Sequence, residues 1–161
     1  MDRPTKQATL CVICNEDEIL LAMKKRGFGV GKYNGFGGKV NPGETIEEAV
    51  VRELEEESGL CAKVEDVQKV AELDFYFPYK PEWDQTVHVY LVRKYSGVPH
   101  ETDEMAFEWF TRDTIPYDRM WDDDKYWLPL VLAGKKVEAT FIFKEVQGES
   151  RVDYKDIKLK E

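Results

Sequence analysis

The stretch "VVRELEEESG", residues 50–59, sets four glutamates and one arginine among apolar residues on what reads as a single helix. Thr45 with Glu48 three residues on forms a capping box at its start, and Gly59 stands where a left-handed C-terminal stop belongs. At 3.6 residues per turn, Ile46, Ala49, Val50 and Leu54 make one apolar stripe. Glu53, Glu56 and Glu57 fall within about 100° of each other, inside or against that stripe. Glu47, Glu48 and Glu55 point elsewhere. A solvated acidic face would tolerate such like charges at a few tenths of a kcal/mol, whereas an unpaired buried carboxylate costs several. Positive charge is therefore required at this face. Arg52 borders the group, but one guanidinium does not neutralise three acids. A hard divalent cation with oxygen ligands does, and Mg²⁺ in particular binds substrate phosphates alongside one or two protein carboxylates.

On the N-terminal side of the helix, residues 8–14 and 18–25 read as two strands around the turn "NED". The glycine-rich stretch "RGFGVGKYNGFGGKVNPGE", residues 26–44, follows, a loop suited to backbone shapes that side chains forbid. On the C-terminal side, alternation and β-branched or aromatic enrichment predict strands at about 69–77, 86–94, 106–111, 138–144 and 151–157. "WDDDKYWLPLVLAGKK", residues 121–136, predicts a second helix of about ten residues with Pro129 threatening its interior hydrogen bonds. Strands and helices do not alternate regularly, which favours an α+β fold with a mixed β-sheet sandwiched between helices over a doubly wound parallel sheet.

The chain of 161 residues, 42% hydrophobic, suits one domain spanning residues 1–161. A formal charge of -9 argues against a nucleic-acid polymer as partner, since phosphate neutralisation needs a basic face. A small anion held through a metal stays compatible. No signal-peptide pattern opens the chain and no apolar run reaches the ~18 residues of a spanning helix. These features predict a cytoplasmic protein without a membrane partner. Without an evident heptad or exposed apolar helix, a monomer is expected. Cysteines at 11, 14 and 61 have no disulfide-framework spacing, and Cys11 and Cys14 should face opposite sides of one strand as packing thiols.

Spacing around the opening stretch is more specific than any of this. Gly38 is followed after five residues by Glu44, after seven more by Arg52 and Glu53, then Leu54, Glu56, Glu57, Gly59 and Leu60. The segment "GKVNPGETIEEAVVRELEEESGL", residues 38–60, resembles the 23-residue box of the Nudix hydrolases, G-x5-E-x7-R-E-U-x-E-E-x-G-U, at every fixed position. That resemblance implies a Nudix fold and a hydrolase acting on the acid anhydride of a nucleoside diphosphate linked to a further group. Water would attack a bridge phosphorus with a divalent metal, Mg²⁺ or Mn²⁺, present. It implies Glu53, Glu56 and Glu57 as metal ligands with the Gly38 carbonyl beside them, Arg52 orienting a glutamate, and Glu44 bracing the loop. The general base would be Glu53 or Glu104.

Outside the box, "MKKRGFGVGKYNGFGGKV" at 23–40, "TDEM" at 102–105 and "MWDDDKYWLPL" at 120–130 are similar to the MutT-related Nudix group that removes oxidised purine nucleoside triphosphates from the nucleotide pool. The resemblance covers roughly residues 8–157. It implies a pyrophosphohydrolase releasing the monophosphate and pyrophosphate from 8-oxo-dGTP and 2-hydroxy-dATP, preventing DNA damage. Carried over by position, Asn34 would hydrogen-bond the base, and Asp123 and Asp124 would read its edge. Trp121 would stack on it, with Thr9, Lys24, Phe28, Phe75 and Phe77 lining the pocket and Glu104 adding a carboxylate near the metal. Two neighbouring aspartates in a partly dry pocket repel, so at least one should have a raised pKa. This sequence departs from the group at Asp122, where proline is usual, and at Tyr33, which replaces a tryptophan. Plainer readings compete: Trp121 and Trp127 as core aromatics, and "DDD" as cap and dipole partner of the second helix, with Asp122 having that role alone. His88 reads as a strand residue and His100 as a loop residue. Rival functions are a Nudix hydrolase of dinucleoside polyphosphates or ADP-ribose, and a catalytically silent nucleotide-binding module.

Overall fold

The computed structural model of the protein describes residues 2–27 and 30–160. Its elements are β1 (Gln7–Cys14), β2 (Glu18–Lys24), β3 (Tyr33–Asn34), α1 (Ile46–Ser58), β4 (Val67–Tyr76), β5 (Gln85–Val92), β6 (Met105–Thr111), α2 (Asp124–Leu132), β7 (Lys136–Val146) and β8 (Glu149–Lys160). The strands form one mixed sheet in the order β3-β2-β1-β5-β4-β7-β8, with β6 pairing on β2. β1 runs parallel to β5 and β4 parallel to β7; the other pairings are antiparallel.

The twofold side-chain period of a strand sorts the apolar residues to two faces. Cys11, Ile13, Leu20, Ala22, Tyr90 and Val92 pack with Val50 and Leu54 of α1. On the other face Val12, Cys14, Leu73, Val89, Phe141 and Phe143 pack with Trp127, Leu128 and Val131 of α2. Cys11 and Cys14 thus lie on opposite faces as free buried thiols, and burial pushes Cys11 up to about 12. The expected α+β sandwich and the expected strands are present, with ends shifted by up to about three residues either way, and the two-residue β3 lies in the stretch read as a loop.

α1 begins and ends where its caps stand. Thr45 Oγ1 accepts the Glu48 N–H at 3.1 Å, Glu48 Oε1 accepts the Thr45 N–H at 2.8 Å, and Gly59 ends the helix at φ 82°. In α2 the aspartate run does not cap as expected, since Asp123 at the N-cap makes no side-chain bond to the helix amides, while Asp124 stands in the first turn as an acidic residue. Pro129 stands inside the nine-residue helix, where it has no N–H to give the Lys125 carbonyl, and the helix closes soon after it, Ala133 N–H bonding the Pro129 carbonyl at 3.0 Å.

The site exists because β1 and β2 stay paired only at Ile13↔Leu20 and Cys14↔Ile19. Before that point the strands part and the loop at residues 35–39 enters. Its backbone bonds β1, with Thr9 N–H to the Gly38 carbonyl at 2.8 Å and Phe36 N–H to the Cys11 carbonyl at 2.8 Å. A Cβ at Gly37 would come 1.8 Å from the Thr9 carbonyl oxygen, a backbone atom that cannot step aside. Gly37→Ala is therefore expected to destabilise the fold by about 3 kcal/mol, read as a lower urea midpoint at unchanged slope.

Candidate active site

Arg52 organises the acidic face of α1. Its Nε and Nη2 grip Glu44 Oε2 and Oε1 at 2.7 and 3.0 Å, and Nη2 also donates to the Lys39 carbonyl at 3.0 Å. Nη1 donates to Glu53 Oε1 at 2.8 Å and Glu56 Oε2 at 3.2 Å. All the guanidinium donors are thereby used, and the bracing of the loop by Glu44 has a visible basis. Glu57 is left outside this arrangement. Its Oε1 accepts the Gly37 N–H at 2.7 Å, and among the described residues it makes no ion pair within 4 Å. Burial pushes the Glu57 carboxyl up to about 7, the Gly37 bond opposes that, and the charges of Glu53 and Glu56 add to it.

Among the described residues no group of three or more His, Cys, Asp or Glu side chains is gathered as a cation site. The reason is visible in the geometry: Arg52 holds Glu53 and Glu56 while Glu57 turns to the Gly37 amide. The residues nevertheless fit a hard divalent cation. Every donor is oxygen, Glu57 is partly buried without a compensating cation at contact, and Gly38 has no room for a side chain. A Cβ there would lie 2.7 Å from the Glu53 carboxyl.

Beside Glu57 opens a cavity of about 320 Å³, whose lining includes Thr9, Lys24, Asn34, Gly38, Trp121, Asp123 and Asp124. Phe75, Phe77 and Phe143 make an aromatic wall, the last two rings stacked at 4.7 Å and 6°. Asn34 Oδ1 accepts the Gly35 N–H at 2.9 Å, which leaves its amide NH₂ as the available donor. Lys32 Nζ lies 5.4 Å from the Trp121 ring centre.

Asp123 and Asp124 are buried, at 4% and 3% exposure. Asp123 Oδ2 accepts the Trp127 indole N–H at 2.8 Å, whereas Asp124 Oδ2 has no hydrogen-bond partner among the described residues. Burial raises both carboxyls, and the charge of Asp123 raises Asp124 further. A pair so placed can present one acid hydrogen and one acceptor oxygen to a heterocycle edge.

Thr9, Lys24, Asn34, Gly38, Glu57, Phe75, Phe77, Trp121, Asp123 and Asp124 thus border one cavity. Arg52, Glu53 and Glu56 adjoin it on α1 without lining it. Glu104 is not among the lining residues, although Met105 beside it is: its side chain is 72% exposed and meets Arg26 at 3.3 Å. Phe28 lies outside the described residues. Trp127, only 1% exposed, is a core aromatic that also fixes a pocket carboxylate, while Trp121 is a wall residue. Phe143 and Lys32 were not foreseen. Alternation in "TFIFK" hinted at which β7 residues share a face, but not that this face would border the cavity. His88 is the expected strand residue, its Nε2 2.6 Å from Gln7 Oε1.

Comparison with known proteins shows what this arrangement resembles. The family model described as NUDIX domain matches residues 4–131. The chain is 46% identical over 151 residues to the oxidized purine nucleoside triphosphate hydrolase of Danio rerio, covering 92% of this chain and 95% of that protein. It is 46% identical over 137 residues to the protein of the same name from Mus musculus, covering 85% and 86%. Among solved structures, a MutT protein from Bacillus halodurans superposes with a TM-score of 0.80 at 23% identity, covering 94% of this chain and 97% of that one, a likeness of fold. A MutT NUDIX hydrolase from Burkholderia pseudomallei gives 0.62 at 31% identity, covering 69% and 86%.

Proposed function

The chain belongs to the Nudix family, and from that premise we propose that residues 1–161 form one pyrophosphohydrolase domain that cleaves oxidised purine nucleoside triphosphates to the monophosphate and pyrophosphate. The observation that carries this reading is the buried carboxyl pair, Asp123 and Asp124, lining the same cavity as Glu57. Polar groups that can both donate and accept are what an oxidised purine edge demands, because oxidation at C8 of guanine or C2 of adenine changes which edge atoms carry hydrogens. Trp121 supplies a wide face for the ring, and Phe75, Phe77 and Phe143 exclude water around it.

Nudix hydrolases use divalent cations. Here Glu53, Glu56, Glu57 and the Gly38 carbonyl would hold the ion, with Mg²⁺ preferred for its affinity for carboxylate and phosphate oxygens. When bound, the cation supplies Lewis-acid stabilisation of charge on the phosphoryl oxygens. The protein's own groups do the rest. Lys24, which lines the cavity and attracts Glu57, faces the anionic end of a nucleotide. Glu53 is the better-placed carboxylate to take a proton from the attacking water, because it lies against Gly38 and its charge is felt at Glu57, whereas Glu104 points to Arg26. Arg52 keeps Glu53 oriented.

The test is release of pyrophosphate and nucleotide with Mg²⁺ from 8-oxo-dGTP, 2-hydroxy-dATP, dGTP, dATP, ADP-ribose and a diadenosine polyphosphate. Monophosphate plus pyrophosphate, formed fastest from the oxidised purines, is expected. Faster cleavage of ADP-ribose or the dinucleotide would keep the acidic helix and discard the base-reading pocket. No turnover of any of them would leave a binding module.

A further inference from the structure

Asp122 is the one aspartate of "WDDD" that does not border the nucleotide cavity, and its bonds run the other way. Its Oδ2 accepts the Val152 N–H of β8 at 2.8 Å, and its Oδ1 lies 3.0 Å from Lys125 Nζ and 3.5 Å from Arg151 Nη1. Arg151 is in turn held by Glu149 at 2.6 Å. The side chain is only 11% exposed, and although burial pulls the other way, the Val152 amide and Lys125 keep Asp122 below its usual value, hence a carboxylate.

What lies at the other end of these bonds gives them meaning. β8 is the outermost strand, paired to β7 through a register shift at Ile142/Phe143 that sets Phe143 opposite Val152. Phe143 stacks on Phe77 in the cavity wall. Asp122 itself sits in the turn closed by Asp124 N–H to the Trp121 carbonyl at 3.1 Å, the turn that presents Trp121, Asp123 and Asp124. One carboxylate therefore joins the base-reading turn to the strand pair carrying an aromatic wall of the same cavity.

We infer that Asp122 is a positioning residue for base recognition, setting the spacing between the Asp123 and Asp124 carboxyls and the Phe143 wall through its bonds to Val152 and Arg151. It acts through its neighbours and touches no substrate. The inference rests on the base-reading role proposed above for Asp123 and Asp124. Displacement of a recognition group by a fraction of an ångström to an ångström weakens binding by one to two orders of magnitude, so the effect belongs in KM and in selectivity.

The experiment compares Asp122→Ala, Asp122→Asn and Asp124→Asn with the unaltered protein, measuring kcat and KM for 8-oxo-dGTP and dGTP alongside melting temperature. Asp122→Ala is expected to raise KM for 8-oxo-dGTP about tenfold at nearly constant kcat, and to cut the preference over dGTP by a similar factor. Asp122→Asn, which keeps an oxygen to accept the Val152 N–H, should recover most of that preference and serves if the alanine variant does not fold. A melting temperature lowered with the preference intact would overturn the inference and leave a merely structural tie. Should Asp124→Asn alter the preference while Asp122→Ala does not, positioning fails and base reading stands. If neither alters it, both fail. Loss of preference in Asp122→Asn equal to that in Asp122→Ala would overturn the Val152 bond as the means.

Discussion

Glu57→Gln is expected to lower kcat by at least about a hundredfold while binding of the monophosphate product changes by no more than about twofold. Glutamine has nearly the same shape and can still accept the Gly37 N–H, so the loop stays in place. It cannot offer a charge to a cation. In the proposed reading the monophosphate is held mainly by Trp121, Asp123 and Asp124, none of which bonds Glu57, whose hydrogen bond runs to the Gly37 N–H. A poorly folded variant is distinguished by melting with EDTA present. There the variant should be at least as stable as the unaltered protein, because a neutral group replaces a partly buried carboxylate that burial disfavours. Added Mg²⁺ should raise the melting temperature of the unaltered protein and have much less effect on the variant, since only a ligand bound by the native state stabilises it. A kcat within a few-fold of the unaltered protein would remove Glu57 from the metal-binding set.

Asp124→Asn should change which oxidised purine is preferred, with kcat/KM for the disfavoured one falling by about 10- to 100-fold. The carboxyl of Asp124 is buried with one oxygen unpartnered, so it can take or lose a proton to suit the edge it meets. An amide has one fixed donor side and one fixed acceptor side. An unchanged order between 8-oxo-dGTP and 2-hydroxy-dATP in steady-state kinetics would remove Asp124 from base reading. The same substitution carries a stability signature. Burial, then the charge of Asp123, raises the folded-state value of Asp124 well above 3.8. A group raised in the folded state favours folding below its unfolded value and loses that contribution as pH climbs through the folded one. Asp124→Asn does not titrate, so its melting temperature should gain on that of the unaltered protein from about pH 4 upward into the neutral range. Because Asp123 shares the proton, the profile belongs to the pair. A margin independent of pH would contradict the raised value.

Much of the acidic helix was legible because its determinants are local. Caps lie within three residues, the apolar stripe repeats with the helix, and Arg52 reaches Glu53 and Glu56 one and four residues away. The opposite facing of Cys11 and Cys14 likewise needs only the period of a strand. Asn34, Asp123, Asp124 and Trp121 were named through family resemblance, and the structure sets them around one cavity.

Tertiary structure decided where the bonds between distant segments run. Asp122 read as part of a helix cap, but the Val152 amide 30 residues further along claims its carboxylate. Glu104 read as a carboxylate near the metal; its side chain is exposed and meets Arg26, a contact between segments 78 residues apart. Phe143 became a cavity wall only when the parallel pairing of β4 with β7 brought it to Phe77. The sequence by itself thus determined the helix, its caps, its carboxylate register and the strand faces, all of which follow from the periods of a regular backbone. Which side chains meet across the cavity was left to strand order and to the parting of β1 from β2, because such contacts depend on chain segments that no local pattern relates.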